Sequence, residues 1–126
     1  SQNFDNLYDA LNVASVTDLL GTYGSGYALF ADSRIPADYT SAGASVNFYL
    51  SGTFDNIEGY TITTMTINCR AITSERSRAL ADAVITAINR VNFTGYYITC
   101  TALPEIGPAD ETDNYNTIVQ ATMQAN

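Results

Sequence analysis

The chain has 126 residues, with 13 acidic residues against 5 basic ones and a formal net charge of −8. This length is typical of one domain, and we predict a single domain over residues 1–126. The negative charge argues against sequence-independent nucleic-acid binding, which depends on Lys and Arg to neutralise phosphates. No apolar run approaches the ~20 residues of a membrane-spanning helix, so we expect a soluble protein without a membrane partner.

The composition also excludes most catalytic chemistry. The chain has no histidine, and all 5 of its basic residues are arginines. Without histidine it lacks the usual general base and the commonest transition-metal ligand. Without lysine it lacks Schiff-base chemistry and the lysine of a phosphate-binding loop. We therefore expect no catalytic residues, no metal site and no cofactor, and predict that the protein is not an enzyme.

The first third of the chain predicts two short helical segments and one short strand. The run Ser15-Val-Thr-Asp18 is a capping arrangement and predicts one more helical turn that ends at Gly21. Residues 27–31 favour a short buried strand. Apolar residues at helical spacing predict a helix over residues 3–12, namely Phe4, Leu7, Tyr8 and Leu11.

Two segments lack any regular pattern. Residues 32–45 form the first, and loops of this length tend to carry function. The second runs from 104 to 112 and has an acidic tip at Asp110 and Glu111. We interpret both as candidate contact surfaces.

Four segments alternate apolar and polar residues with the period of a strand. Each has one apolar face, which predicts a mainly antiparallel sheet of four to five strands that is covered on one side. The four apolar faces are Val46, Phe48 and Leu50; Met65, Ile67, Cys69 and Ala71; Tyr96, Ile98, Cys100 and Ala102; and Tyr115, Thr117, Val119, Ala121 and Met123.

One long amphipathic helix over residues 74–90 supplies the cover. Ser74 is the expected N-cap, and Arg90 suits the negative end of the helix dipole. The predicted class is α+β, with one long helix packed on one face of the sheet and a short N-terminal helix, in the order α-β-β-β-α-β-β. The expected buried stripe is Leu80, Ala81, Val84, Ile85, Ala87, Ile88 and Val91.

The polar faces of the strands carry Thr, Asn, Gln, Ser and Tyr, with Arg70 as their single charge. An ordinary solvated sheet face carries Lys and Glu. Uncharged polar surfaces are typical of the centre of a protein–protein interface. The residues equally fit plain strand propensity, and we give the two interpretations the same weight.

Cys69 and Cys100 each lie inside a predicted strand. Two thiols without a histidine cannot form a zinc site, and we favour two small buried apolar residues. A cross-strand disulfide is the alternative, if the two strands are neighbours.

The order of these patterns resembles the tail terminator (tail completion) proteins of long-tailed bacteriophages. The resemblance covers most of the chain and is carried by soft apolar patterns, while the Gly- and Ser-containing residues 40–45 depart from it. It rests on Phe4-Asp-Asn-Leu-Tyr-Asp-Ala-Leu11, Val16-Thr-Asp-Leu-Leu-Gly21, Phe30-Ala-Asp-Ser-Arg-Ile-Pro36, Arg78-Ala-Leu-Ala-Asp-Ala-Val84 and closing strands that end at Met123.

The resemblance implies a structural protein of the virion neck or tail end that assembles in the host cytoplasm. Such proteins form a ring, usually a hexamer, which caps the tail tube and joins it to the head–tail connector or stopper protein. The implied partners are other copies of the chain, the tail tube protein and the connector. DNA would pass through the lumen without sequence-specific binding.

Under this resemblance, we expect oligomer or partner contacts at Asp32, Arg34, Tyr39 and Tyr49. Acidic side chains in the lumen would keep DNA sliding by electrostatic repulsion, and Asp110, Glu111 and Asp113 are the candidates.

Three alternatives stay open. The protein is of a suitable size for another phage neck component, a head-completion or stopper protein. It could instead be a monomeric module that holds a ligand with Tyr23, Tyr27 and Tyr39. The third is a small enzyme that uses carboxylates alone.

Overall fold

The computed structural model describes residues 2–32, 34–39, 44–57, 60–93, 95–103 and 115–125. These ranges contain three helices and eight strands. None of the described helices is long and apolar enough to cross a membrane. The elements are α1 (Gln2–Leu11), α2 (Ala14–Thr17), β1 (Thr22–Tyr23), β2 (Gly26–Tyr27), β3 (Leu29–Phe30), β4 (Ser45–Ile57), β5 (Tyr60–Ala71), α3 (Ser74–Ile88), β6 (Val91–Phe93), β7 (Tyr96–Ala102) and β8 (Tyr115–Ala125).

Six of the described strands form one sheet in the order β3-β4-β5-β8-β7-β6. Strand β3 pairs parallel to β4, and the other neighbours are antiparallel. The predicted α+β class is confirmed, whereas the prediction of four to five strands was too low and the sheet is mixed. The edge strand β3 lies within the strand predicted over residues 27–31, whereas the missed edge strand β6 has only 3 residues, too few for an alternating pattern to show.

Helix α3 packs on β5, β7 and β8 and covers one face of the sheet. Leu80, Val84 and Ile88 are fully buried, as the stripe predicted, together with Ala81. Ile85, Ala87 and Val91 are only partly buried. Burying one apolar stripe in this way is the main stabilisation that a helix of this length obtains.

The ends of α3 differ from the sequence prediction. The N-cap is Thr73, since its side chain accepts a hydrogen bond from the Arg76 N–H at 3.2 Å, and the assignment to Ser74 was wrong by one residue. The helix ends at Ile88 rather than at Arg90. Arg90 takes a φ of 58°, the left-handed conformation that turns the chain out of a helix, and its N–H donates to Ile98 O at 2.8 Å.

A polar residue, Ser77, lies fully buried on the covered face of α3. Its hydroxyl donates to Cys69 O at 2.8 Å and lies 2.8 Å from Thr117 Oγ1, which satisfies the group. These contacts fix α3 against β5 and β8 with a specificity that apolar packing alone does not supply.

The predicted apolar faces of the long strands are buried, with three exceptions. Leu50 is 48% exposed, Ala102 is exposed and Tyr115 is partly buried. Leu50 stands at a register shift in the pairing of β4 with β5, and α3 packs on β5, β7 and β8 rather than on β4. The covering layer therefore ends before this part of the sheet.

Both cysteines are buried and free. Strand β8 separates the strands of Cys69 and Cys100, so the condition for a cross-strand disulfide is not met and that alternative is excluded. Burial raises the pKa of the Cys100 thiol to about 11 and that of Cys69 further. Both thiols therefore stay protonated at neutral pH, as the prediction of small buried residues requires.

Candidate interaction surface

The four predicted contact residues lie near the β3–β4 edge of the sheet. Asp32 and Arg34 follow β3 directly and are exposed, and Tyr49 lies in the middle of β4. The side-chain amide of Asn47 donates to Asp32 O at 3.0 Å, and Asn47 shares a face of β4 with Tyr49. The parallel pairing of β3 with β4 thus brings Asp32 and Tyr49, far apart in sequence, to one side of the sheet.

Tyr39 has a structural role that sequence reasoning missed. Its ring lies edge-on to those of Tyr23 and Phe30, with centroids 6.1 and 5.9 Å away, and Tyr23 and Phe30 are 5.4 Å apart. The Tyr39 hydroxyl donates to Ala44 O at 2.9 Å. This cluster fixes the end of the 34–39 segment back onto the start of β4.

The same cluster argues against a tyrosine-lined ligand site. Tyr23 donates its hydroxyl to Asp38 Oδ1 at 2.7 Å, and this hydrogen bond is the main reason that its pKa is raised. The pKa of Tyr39 is raised by burial. Two of the three proposed tyrosines therefore use their rings and hydroxyls on each other and on the chain, and only Tyr27 is exposed, at 46%.

The face of the sheet opposite α3 is polar, yet its centre is buried. Asn47, Thr66 and Asn68 are 0%, 6% and 5% exposed. We call the residues linked by hydrogen bonds here the polar ladder. It consists of Asn47, Thr66, Asn68, Arg70, Asn116 and Gln120.

Three hydrogen bonds connect the polar ladder across the strands. Arg70 Nε donates to Asn47 Oδ1 at 3.4 Å, and Asn116 Nδ2 donates to Asn68 Oδ1 at 3.0 Å. The Gln120 amide donates to the Thr66 hydroxyl at 3.3 Å. The three acceptor side chains are buried at the centre of the polar face, which the alternating pattern alone does not predict.

Around the polar ladder the surface is uncharged and partly exposed. Tyr49, Tyr97, Ile118 and Thr122 are half-buried on the same face. Arg70 is the single charge on the predicted polar faces of the strands and is already hydrogen-bonded to Asn47, so this surface can bury against a partner with little desolvation of charge.

The structure also shows a groove that the sequence did not reveal. It has a volume of about 340 Å³ and lies between the end of α2 and the start of α3. Leu19 and Ile72, 45% and 50% exposed, line it together with Asp18 and Arg76. The sequence signal was weak, since Ile72 stands between a strand and a helix and belongs to neither pattern.

Two further sequence predictions concern the acidic lumen residues and metal binding. Asp110, Glu111 and Asp113 lie outside the described residues, so their place in a lumen stays a prediction. Within the described ranges, no group of three or more His, Cys, Asp and Glu side chains comes together in a way that could hold a metal ion.

The architecture can be compared with solved proteins. The chain superposes on a chain of the virion of a native gene transfer agent particle with a TM-score of 0.61. The fold is shared with a virion protein. The match covers 94% of this chain and 90% of the other at 17% identity, so it concerns the fold over nearly the whole length. No protein-family model matches the sequence, and no curated protein matches it.

Proposed function

We propose that this protein is a structural component of a phage-like virion and, within it, the tail terminator (tail completion) protein. The observation that carries the proposal is the fold shared with a gene transfer agent virion chain over 94% of this protein and 90% of that one. The sequence resemblance to tail terminators supports the finer role. The lack of histidine and lysine fits a role without catalysis.

In this role, copies of the chain form a ring, a hexamer in our proposal, at the end of the tail tube in the virion neck. One side of the ring binds the tube protein and stops its polymerisation, and the other binds the head–tail connector. The rigid layer of α3 on the sheet holds the subunit together. Asp32, Arg34 and Tyr49 then lie at a margin where a neighbouring subunit or the tube can contact them.

The net charge of −8 suits a ring through which DNA moves. Like charges on the lumen and on the phosphates repel across a narrow channel, which disfavours sticking. We propose Asp110, Glu111 and Asp113 as lumen residues.

Another neck component, a head-completion or stopper protein, is the second candidate. The comparison that favours it is the same one, because that match is to a virion particle as a whole. The two roles differ in what their loss does to the tail tube.

The test is deletion of the gene from a producing genome, with electron microscopy of the particles. A missing terminator leaves the tube without its cap, so we expect tails of uncontrolled length that lack heads. Tails of normal length beside heads that fail to join would instead indicate the other neck component. Intact, infectious particles would contradict both roles, and complementation by the unaltered gene is the control.

A further inference from the structure

The outer edge of β4 is largely uncovered in the described part of the chain. Strand β3 pairs with β4 only at Val46 and Asn47, whereas β5 pairs along the inner edge as far as Ile57. From Tyr49 to Ile57, no described strand lies beside the outer edge of β4.

The main chain of this edge points away from the molecule at alternate positions as far as Leu50, beyond which register shifts at Leu50/Gly52 and Phe54/Ile57 interrupt the alternation. Val46 N donates to Ala28 O at 2.9 Å, which shows that the Val46 N–H faces outward. Main-chain groups alternate along a strand, so the N–H and C=O of Leu50 face outward as well. Outward N–H and C=O groups in a row are a template for an added strand.

The opposite edge of the sheet, formed by β6 beside β7, differs from the β4 edge. Beyond the short strand β6, Asn89 Oδ1 accepts from the Cys100 N–H at 2.9 Å and so caps the edge of β7. Strand β4, Ser45–Ile57, contains no Pro and Asp55 is its single charge, so its edge is interrupted only by the two register shifts.

The charge of the chain limits where two copies can approach each other. Two copies, each with a net charge of −8, repel each other wherever acidic surfaces meet. Asp5, Asp9, Asp18 and Asp82 lie exposed on or beside the helices. The uncharged stretch from Tyr49 to Phe54 is a place where copies can approach without that repulsion, and main-chain pairing needs no opposite charge.

We propose that the outer edge of β4 from Tyr49 to Ile57 binds an extended segment of a second copy of this chain and continues the sheet between subunits. The inference rests on the ring proposed above and assigns its subunit contact. In this proposal the β4 edge of one copy binds a different surface of the next copy, which is the kind of interface that closes into a ring.

A matched pair of variants at Leu50 tests the main-chain contact. Leu50→Pro removes the outward N–H and leaves the ladder to β5, whereas Leu50→Ala removes only the side chain beyond Cβ. Sedimentation velocity over a concentration series should show that Leu50→Pro weakens self-association by about tenfold or more per contact relative to Leu50→Ala. Circular dichroism and thermal unfolding confirm that both variants fold.

Hydrogen exchange on the unaltered protein gives a readout that does not depend on any variant. Assembly should slow exchange of the outward amides between residues 49 and 57 by about tenfold or more, since a paired N–H is protected. Equal exchange in monomer and assembly would overturn the proposal. So would a chain that stays monomeric at every concentration, or a Leu50→Pro variant that assembles like Leu50→Ala.

The two proposals fail separately. If deletion of the gene yields headless tails of uncontrolled length while the Leu50→Pro gene restores normal particles, the β4 contact is wrong and the terminator role stands. If deletion leaves particles intact while the unaltered chain assembles through protected β4 amides, the terminator role is wrong and the contact stands.

Discussion

The two faces of the sheet are buried by different means. On the face under α3, Ile67 and Val119 are fully buried among apolar side chains. On the opposite face, Asn47 and Asn68 are buried to nearly the same extent, but their side chains hydrogen-bond to Arg70 and to Asn116, respectively. Apolar burial is non-directional and tolerates exchange of similar shapes, whereas a buried amide needs its partner in place. The covered face therefore contributes stability, and the hydrogen bonds of the polar face fix the register of the strands.

The largest effect should come from the covered face. We expect Phe48→Ala to lower the free energy of unfolding by about 3–5 kcal/mol, because Phe48 is fully buried and the cavity has little room to collapse. Leu50→Ala is the matched control in the same strand and should cost less than about 1 kcal/mol, since Leu50 is 48% exposed. Urea unfolding measures both, and equal costs would contradict the assignment of the core.

A smaller effect should come from the polar ladder. Asn68→Ala leaves Asn116 Nδ2 without its 3.0 Å acceptor, and we expect a loss of about 1–3 kcal/mol. Thr101→Ala, at an exposed position on the same face, should change stability by less than about 0.5 kcal/mol. If the two variants unfold at the same urea concentration, the ladder does not contribute to stability as described.

The sequence reveals these two faces unequally. Alternation and the helical stripe are strong on the covered face, and they predicted α3 and the inward residues of the four long strands. Nothing in hydropathy indicates that Asn47 and Asn68 are buried, because their hydrogen-bond partners Arg70 and Asn116 lie on other strands. A pattern read along one strand carries no information about partners across the sheet.

The candidate surface was predictable only in part for the same reason. Asp32 and Tyr49 were selected from separate segments, and only the parallel pairing of β3 with β4 shows that they share a side of the sheet. That pairing involves two residues from each strand, too few for a sequence pattern. The contacts of Tyr39 with the Tyr23 ring and with Ala44 O depend on this pairing too, because Tyr39 lies between β3 and β4 in the chain.

The helical cover can be weakened at its start. Thr73→Ala removes the acceptor for the Arg76 N–H, and we expect a loss of about 1 kcal/mol of unfolding free energy. Ser74→Ala at the neighbouring position keeps this cap and should cost clearly less. Thermal and urea unfolding of the two variants show which residue is the N-cap. A larger loss of unfolding free energy in Ser74→Ala than in Thr73→Ala would favour Ser74.

The smallest expected effect is a fall in unfolding free energy at high pH, which should begin at a lower pH for the covered face than for the tyrosines near β3. The pKa of Cys100, on the covered face, is raised by burial from an ordinary value of 9.0 to about 11. A raised pKa means that the stabilisation is complete below pH 9 and is lost as the pH rises toward 11, because the unfolded chain ionises first. At pH 10 the contribution of Cys100 to this loss should be about 1 kcal/mol.

Cys100→Ala isolates this contribution. Its unfolding free energy should fall less than that of the unaltered protein between pH 9 and 10, since the thiol no longer titrates. The tyrosines near β3 should respond only at higher pH, because the pKa values of Tyr23 and Tyr39 are raised above their ordinary value of 10.0. An identical pH profile for the variant and the unaltered protein would show that Cys100 is not buried against the sheet as the structure has it. If the unfolding free energy falls only above pH 10, the tyrosines near β3 alone account for the sensitivity to alkali.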